Sequence, residues 1–166
     1  MSQKPKAIIA HWSTMIEGLN VPPSEFFDAV ETAVSQKNMP KVKFSRYTWS
    51  EGGLLSAKRE YLRIKRKDHA YDVCGAPFGN GFFVSTWLGD FESGLLGWFF
   101  SLPVIGVLAE KMFKPVTYYQ TDTALMYQSL VHSAVLEAVD SITKTKGLRA
   151  LPESERKPEM RNFFGQ

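Results

Sequence analysis

Apolar residues recur along this chain with changing periods, and the changes mark its elements. Over residues 6 to 19, Ile8, Trp12, Met15, Ile16 and Leu19 are spaced as on one side of a helix, with breakers at Gly18 and Asn20. The spacing predicts a short amphipathic helix, or an arm that orders only on binding. Val21-Pro22-Pro23 stops the chain, and Ser24 with Glu25 has the chemistry of a helix start. Phe26, Phe27, Val30, Ala33 and Val34 then form one face of a helix that ends near Lys37-Asn38, before Pro40.

From Lys41 the period shortens. Val42, Phe44, Tyr47 and Trp49 are strand formers. From Lys58 to Arg66, Leu62 and Ile64 alternate with Tyr61, Arg63 and Lys65. Ala70 to Ala76 and Phe82 to Leu88 read as two more strands, joined at Asn80-Gly81, a pair that suits a tight hairpin. The connections are too short for parallel crossovers, so these four strands form an antiparallel meander.

A run from Ser93 to Ala109 carries no charge. It falls just short of the ~18 to 20 apolar residues of a membrane span. Gly94, Gly97, Pro103 and Gly106 weaken it further as a single helix. An apolar helical hairpin over 93–113 is the expected form. It would pack as core, dip into a bilayer surface or bury against a second subunit, through Leu95, Trp98, Phe99, Phe100, Val104 and Ile105.

After Pro115 comes a short extended lead-in, Val116 to Gln120, and then a long helix. It starts at Thr121 or Asp122, runs to Lys146 and is terminated by Gly147. Its stripe of Tyr127, Val131, Ala134, Val135, Ala138 and Ile142 is widened by Leu125, Met126, Leu136 and Val139 beyond what one sheet face covers. The tail from 151 to 166 is charged, with one helical turn expected at Glu153 to Lys157.

The expected fold class is therefore α+β. An antiparallel sheet of about four strands carries N-terminal and C-terminal helices on one face, with the apolar hairpin inserted after the last main strand. One domain fits the 166 residues: an arm over 1–20, a core over 21–150 and the charged tail.

Three segments resemble a group of uncharacterised bacterial proteins whose middle region often looks like one or more membrane spans. They are Tyr71 to Ser85, then Tyr118-Tyr119 with Asp122 to Met126, then Gly147 to Ala150 with Glu155 to Pro158. The resemblance implies membrane proximity and brings no catalytic motif.

Charge alters the picture more than composition does. The net charge is +3, yet residues 41–67 hold nine Lys and Arg against Glu51 and Glu60, leaving the remainder net acidic. Arg59, Arg63, Lys65 and Arg66 are the candidate anion contacts. They suit anionic lipid headgroups, or a nucleic-acid backbone with Tyr61 alongside. A lone cysteine, Cys74, excludes an internal disulfide and fits a reducing compartment. A catalytic role for Cys74 needs a base, and His132 on the long helix is the candidate. His11, His69 and His132 have no paired spacing, so neither a metal nor another cofactor is expected. Gly75 to Gly81 lacks the lysine and the following helix of a phosphate loop.

The leading expectation is a non-enzymatic binding or assembly module. It would work at a membrane surface or as a homo-oligomer, through the apolar hairpin and the basic strand face. It is expected in the cytoplasm, peripheral to the inner face of a membrane. The alternatives are a small enzyme with a pocket between sheet and C-terminal helix, using Cys74, His132 and Tyr71, and a nucleic-acid binder using the basic strands.

Overall fold

A computed structural model of the chain describes residues 7–49, 58–90 and 118–160. Strand β1 (Ala7–Glu17) leads into helix α1 (Pro23–Gln36). Strands β2 (Lys43–Trp49), β3 (Arg59–Arg66), β4 (His69–Phe78) and β5 (Gly81–Asp90) follow. Helix α2 (Tyr118–Thr145), a 3-10 turn at Glu153–Glu155 and the two-residue strand β6 (Glu159–Met160) complete the described chain. The strands form one antiparallel sheet in the order β2-β3-β4-β5-β1-β6, with both helices on one face. The α+β class and the β2–β5 meander are as the sequence predicts. Among the described residues the sheet has six strands, not four, and the apolar segment 93–113 lies outside them.

The N-terminal helix is the main correction, because residues 7–17 are a strand paired along its length with β5. Ala10, Trp12, Thr14 and Ile16 are buried, while Ser13, Met15 and Glu17 are exposed. This period-2 pattern was disguised twice. The inward row includes a small Ala and a polar Thr, and the apolar Ile8 and Met15 are exposed at 45% and 39%. A register shift between Ile8 and Ala10 adds a bulge that buries both Ile9 and Ala10.

Helix α1 crosses the sheet from β1 to the far edge at β2. Pro23 sits in its first turn and Pro22 takes the N-cap position with no side-chain hydrogen bond, so Ser24 is not the cap. Phe26, Phe27, Val30 and Val34 are buried to within 1%. Each such side chain contributes roughly 1.5–3 kcal/mol relative to exposure. Gly75 on β4 allows the close approach: a Cβ there would collide with Phe26 Cδ1 and lie 2.8 Å from Cε1.

Helix α2 starts earlier than the sequence predicts, at Tyr118, so Val116 to Gln120 yields no described strand. Gly147 ends it with φ +68°. There Leu148 N–H donates to the Thr143 carbonyl at 2.8 Å and Gly147 N–H to the Lys144 carbonyl at 3.1 Å, the bond pair of a Schellman cap. Val131, Val135, Ala134 and Val139 are buried beside Leu62 and Ile64 in one core. Leu136 is half-buried, and Met126 and Leu130 are exposed. Lys37, the C-cap of α1, and Glu137 of α2 tie the helices together at 2.5 Å. That bond holds the Glu137 carboxyl below its ordinary range.

The two hairpin turns fix the register of the site. The β3–β4 turn is Lys67-Asp68, with Lys67 at φ +52°, and it sets Arg63 opposite Asp72. The β4–β5 turn is Gly79-Asn80, one residue earlier than expected, with Gly79 supplying the positive φ.

Candidate functional site

Alternation along the strands sorts the sheet side chains onto two faces. Leu62, Ile64, Tyr71, Val73, Val84, Thr86, Leu88, Trp12 and Ile16 face the helices. Tyr47, Tyr61, Arg63, Asp72, Cys74, Ser85, Trp87 and His11 share the other, outer face. Among the described residues, no helix or strand packs on this outer face.

Two rows cross it. In the first, the register aligns Ser45, Arg63, Asp72, Trp87 and His11. Arg63 holds Asp72 with two bonds, Nε to Oδ1 and Nη2 to Oδ2, both 2.7 Å, with the side chains only 11% and 12% exposed. The Arg63 guanidinium lies 4.8 Å from the Tyr47 ring centre, and His11 packs on Trp87 at 3.9 Å. In the second row are Tyr47, Tyr61, Cys74, Ser85 and Ser13, with the two tyrosine rings stacked at 5.5 Å. Burial, reinforced by the Asp72 carboxylate, pushes the Tyr47 hydroxyl well above its ordinary value. Lys43 and Lys65 stand directly opposite each other on the same face, and Arg59 is exposed at its end.

The candidate anion contacts therefore divide. Arg59 and Lys65 lie on the outer face as predicted. Arg63 lies there too, but its charge is matched by Asp72. Arg66 has the opposite parity, and its Nε donates to the Pro40 carbonyl at 3.3 Å, so it does not belong to the outer face. Arg46, also in the basic stretch, is bound by Asp28 and Glu31 of α1 at 2.6 and 2.9 Å. The partner contacts Leu95, Trp98, Phe99, Phe100, Val104 and Ile105 lie outside the described residues.

The enzyme pairing of Cys74 with His132 is overturned by the same parity. Cys74 is fully buried on the outer face, and burial pushes its thiol up, away from the reactive thiolate. His132 lies across the sheet, between α2 and β4. There the Tyr71 hydroxyl is 3.2 Å from His132 Nδ1 and 3.0 Å from Thr86 Oγ1. Nε2–H donates to the Arg156 carbonyl at 2.6 Å, which leaves Nδ1 of the neutral ring to accept from Tyr71. Of the three residues named for the enzyme alternative, Tyr71 and His132 meet and Cys74 lies on the other face. Burial lowers the His132 pKa, with the Arg156 carbonyl opposing.

The segment 148–160, here the strap, seals this chain of hydrogen bonds. Trp12 Nε1–H donates to the Glu155 carbonyl at 2.6 Å, and Thr14 Oγ1 donates to Glu155 Oε2 at 3.0 Å. Arg156 grips Asp140 through two bonds of 2.8 and 2.9 Å. An open groove of about 390 Å³ remains between strap and α2, lined in part by Gln128, Ser133, Leu136 and Pro158.

Two of these features escaped the sequence reading. The Arg63–Asp72 pair follows once the Lys67-Asp68 turn is taken as the hairpin centre, a signal that was present. The strap's bonds to Trp12, Thr14 and His132 span 24 to 143 residues, and no local pattern encodes them.

Among the described residues, no three or more His, Cys, Asp or Glu stand together as a metal site, and no helix is long and apolar enough to cross a membrane. No protein-family model and no curated protein matches the chain. A solved structure, TTHA0849 from Thermus thermophilus, is similar at 13% identity over 77% of this chain and 97% of that one, with a TM-score of 0.23. A likeness that weak carries no inference about fold or function.

Proposed function

We propose that the chain is a non-enzymatic binding module that attaches to an anionic membrane surface, through the outer sheet face and the apolar segment 93–113. The observation that carries this reading is the asymmetry of the sheet. Two helices bury one face. The other displays half-buried rings of Tyr47, Tyr61, Trp87 and His11 beside the exposed cations Lys43 and Arg59 and half-buried Lys65. Its internal acid, Asp72, is already neutralised by Arg63, so the β2–β3 end of the face, away from Glu17 and Glu159, is net basic. Lys43 opposite Lys65 is a like-charge pair that costs stability unless an anion lies between. The resemblance to bacterial proteins with membrane spans supports the same reading.

The test is flotation with phosphatidylglycerol vesicles. Each basic residue near an anionic surface is worth about 1 kcal/mol, so Lys43→Glu with Lys65→Glu should weaken binding at least about tenfold. Arg63 is left intact, because its loss would orphan Asp72. Unchanged binding by the double variant would overturn the reading. The stacked Tyr47–Tyr61 pair beside Arg63 favours one other reading, single-stranded nucleic acid. Salt-dependent capture of an oligonucleotide, with no vesicle binding, would select it.

A further inference from the structure

Helix α2 carries a second surface, on the helix layer and so across the sheet from the outer face. Gln128, His132, Leu136 and Asp140 follow one another along it at i, i+4 spacing. At 1.5 Å per residue the row is about 18 Å long. The strap lies against it through His132 and Asp140 and leaves the open groove of about 390 Å³, within the range of small-molecule sites. The polar groups of this groove are unequally engaged. Asp140 is held through both oxygens by Arg156, whose Nε also donates to the Leu151 carbonyl. Glu137 accepts from Lys37 and from Ser133 Oγ, and both ring nitrogens of His132 are bonded. Gln128 differs from all of these. It is only 5% exposed, it lines the groove, and its carboxamide has no hydrogen bond among the described residues. An amide withdrawn from water and left unpaired costs stability, and an apolar side chain of the same shape would not.

We propose that the groove is a binding site for an uncharged primary carboxamide seated on Gln128. The two amides match edge to edge. The Gln128 oxygen accepts from the ligand N–H, and the Gln128 N–H donates to the ligand oxygen. The rest of the ligand lies against Leu136 and Pro158, which supply apolar contact. Selection against charge follows from the walls. Asp140 with Arg156, and Glu137 with Lys37, are already paired, so a charged ligand would lose hydration without gaining a free counter-charge. A free small molecule and an asparagine or glutamine side chain of a peptide carry this same group. The site shares no residue with the basic outer face and does not depend on the membrane reading.

The test uses the full chain without lipid, so its outcome is separate from that of vesicle flotation. The probes are benzamide, benzoate and N,N-dimethylbenzamide, followed by NMR at the Gln128 side-chain amide and the Leu136 methyl groups. Benzamide should shift both signals saturably. Benzoate is charged, and the dimethyl compound keeps the acceptor but has no N–H. Both should bind at least about fivefold more weakly, because each leaves part of the buried Gln128 amide unpaired. An end-blocked alanine tripeptide with a central glutamine and an N-methylamide terminus separates the two sources. Tighter binding than benzamide assigns the group to a peptide, and weaker binding assigns it to a free small molecule. Gln128→Met keeps the volume and removes both hydrogen-bonding functions. It should abolish the benzamide response at Leu136 and leave the thermal midpoint of the free protein equal or higher. The absence of a saturable benzamide response, equal binding of the three benzoyl probes, or a response that survives Gln128→Met would each overturn the proposal. So would a midpoint lowered by several degrees in Gln128→Met, which would show that the amide serves the fold.

Discussion

At the scale of single residues, two buried polar groups carry opposite risks. Arg63 and Asp72 are a desolvated pair whose partners satisfy each other. Removing one partner leaves a charge stranded, which costs about 3–5 kcal/mol, whereas removing both is far milder. Asp72→Ala should therefore lower the urea midpoint sharply, and Asp72→Ala with Arg63→Met should recover most of the loss. His132 is the acid-sensitive group. Burial depresses its folded pKa below the ordinary 6.5. The folded state thus binds its proton less readily than the unfolded chain. The stability from keeping the ring neutral is fully present above pH ~6.5 and is lost as the pH falls toward the folded value. Gln at this position can keep a donor toward the Arg156 carbonyl without titrating. His132→Gln should flatten the fall in unfolding free energy between pH 7.5 and 5, and an unchanged slope would place the acid sensitivity elsewhere.

At the scale of elements, the legible parts were those with an unbroken period. Leu62 and Ile64 against Arg63 and Lys65 reveal β3 at sight, and Phe26, Phe27, Val30 and Val34 reveal α1. β1 was hidden because burial there does not follow hydrophobicity: Thr14 is inside and Met15 outside. A long partner strand decides such a segment, and β5 lies over 60 residues away in sequence. The packing of α1 on β4 rests on an absence no pattern displays, the missing side chain of Gly75. Gly75→Ala would drive a methyl into Phe26 and bring it within 3.0 Å of Phe82 Cε1. Overpacking of this kind costs about 1–3 kcal/mol, so thermal unfolding should fall by several degrees with secondary structure retained. An unchanged midpoint would show that the two rings shift freely.

At the scale of the whole molecule, α2 joins the core to the strap. One side forms the core with α1 and the sheet, and another holds the strap through His132 and Asp140. The sequence made its extra apolar width visible; of that width Leu136 lines the groove by the strap, Val139 joins the core and Met126 stays exposed. Adjacent residues report on the two sides. Val135 is fully buried in the shared core, and aspartate there would bury an unpaired charge in a site that cannot neutralise it. Val135→Asp should leave no cooperative thermal transition. Leu136 is half-buried and lines the groove by the strap, beside Glu137, Asp140 and Arg156. A carboxylate there stays in contact with water and within the field of Arg156, so Leu136→Asp should cost about 1–2 kcal/mol and preserve a cooperative transition. The extra acid also competes with Asp140 for Arg156, so any loosening should show first in the strap, as faster amide exchange over 151–160 than in the sheet. Equal loss of the transition in both variants would mean that the strap side is as much core as the sheet side, and that α2 has no separable second role.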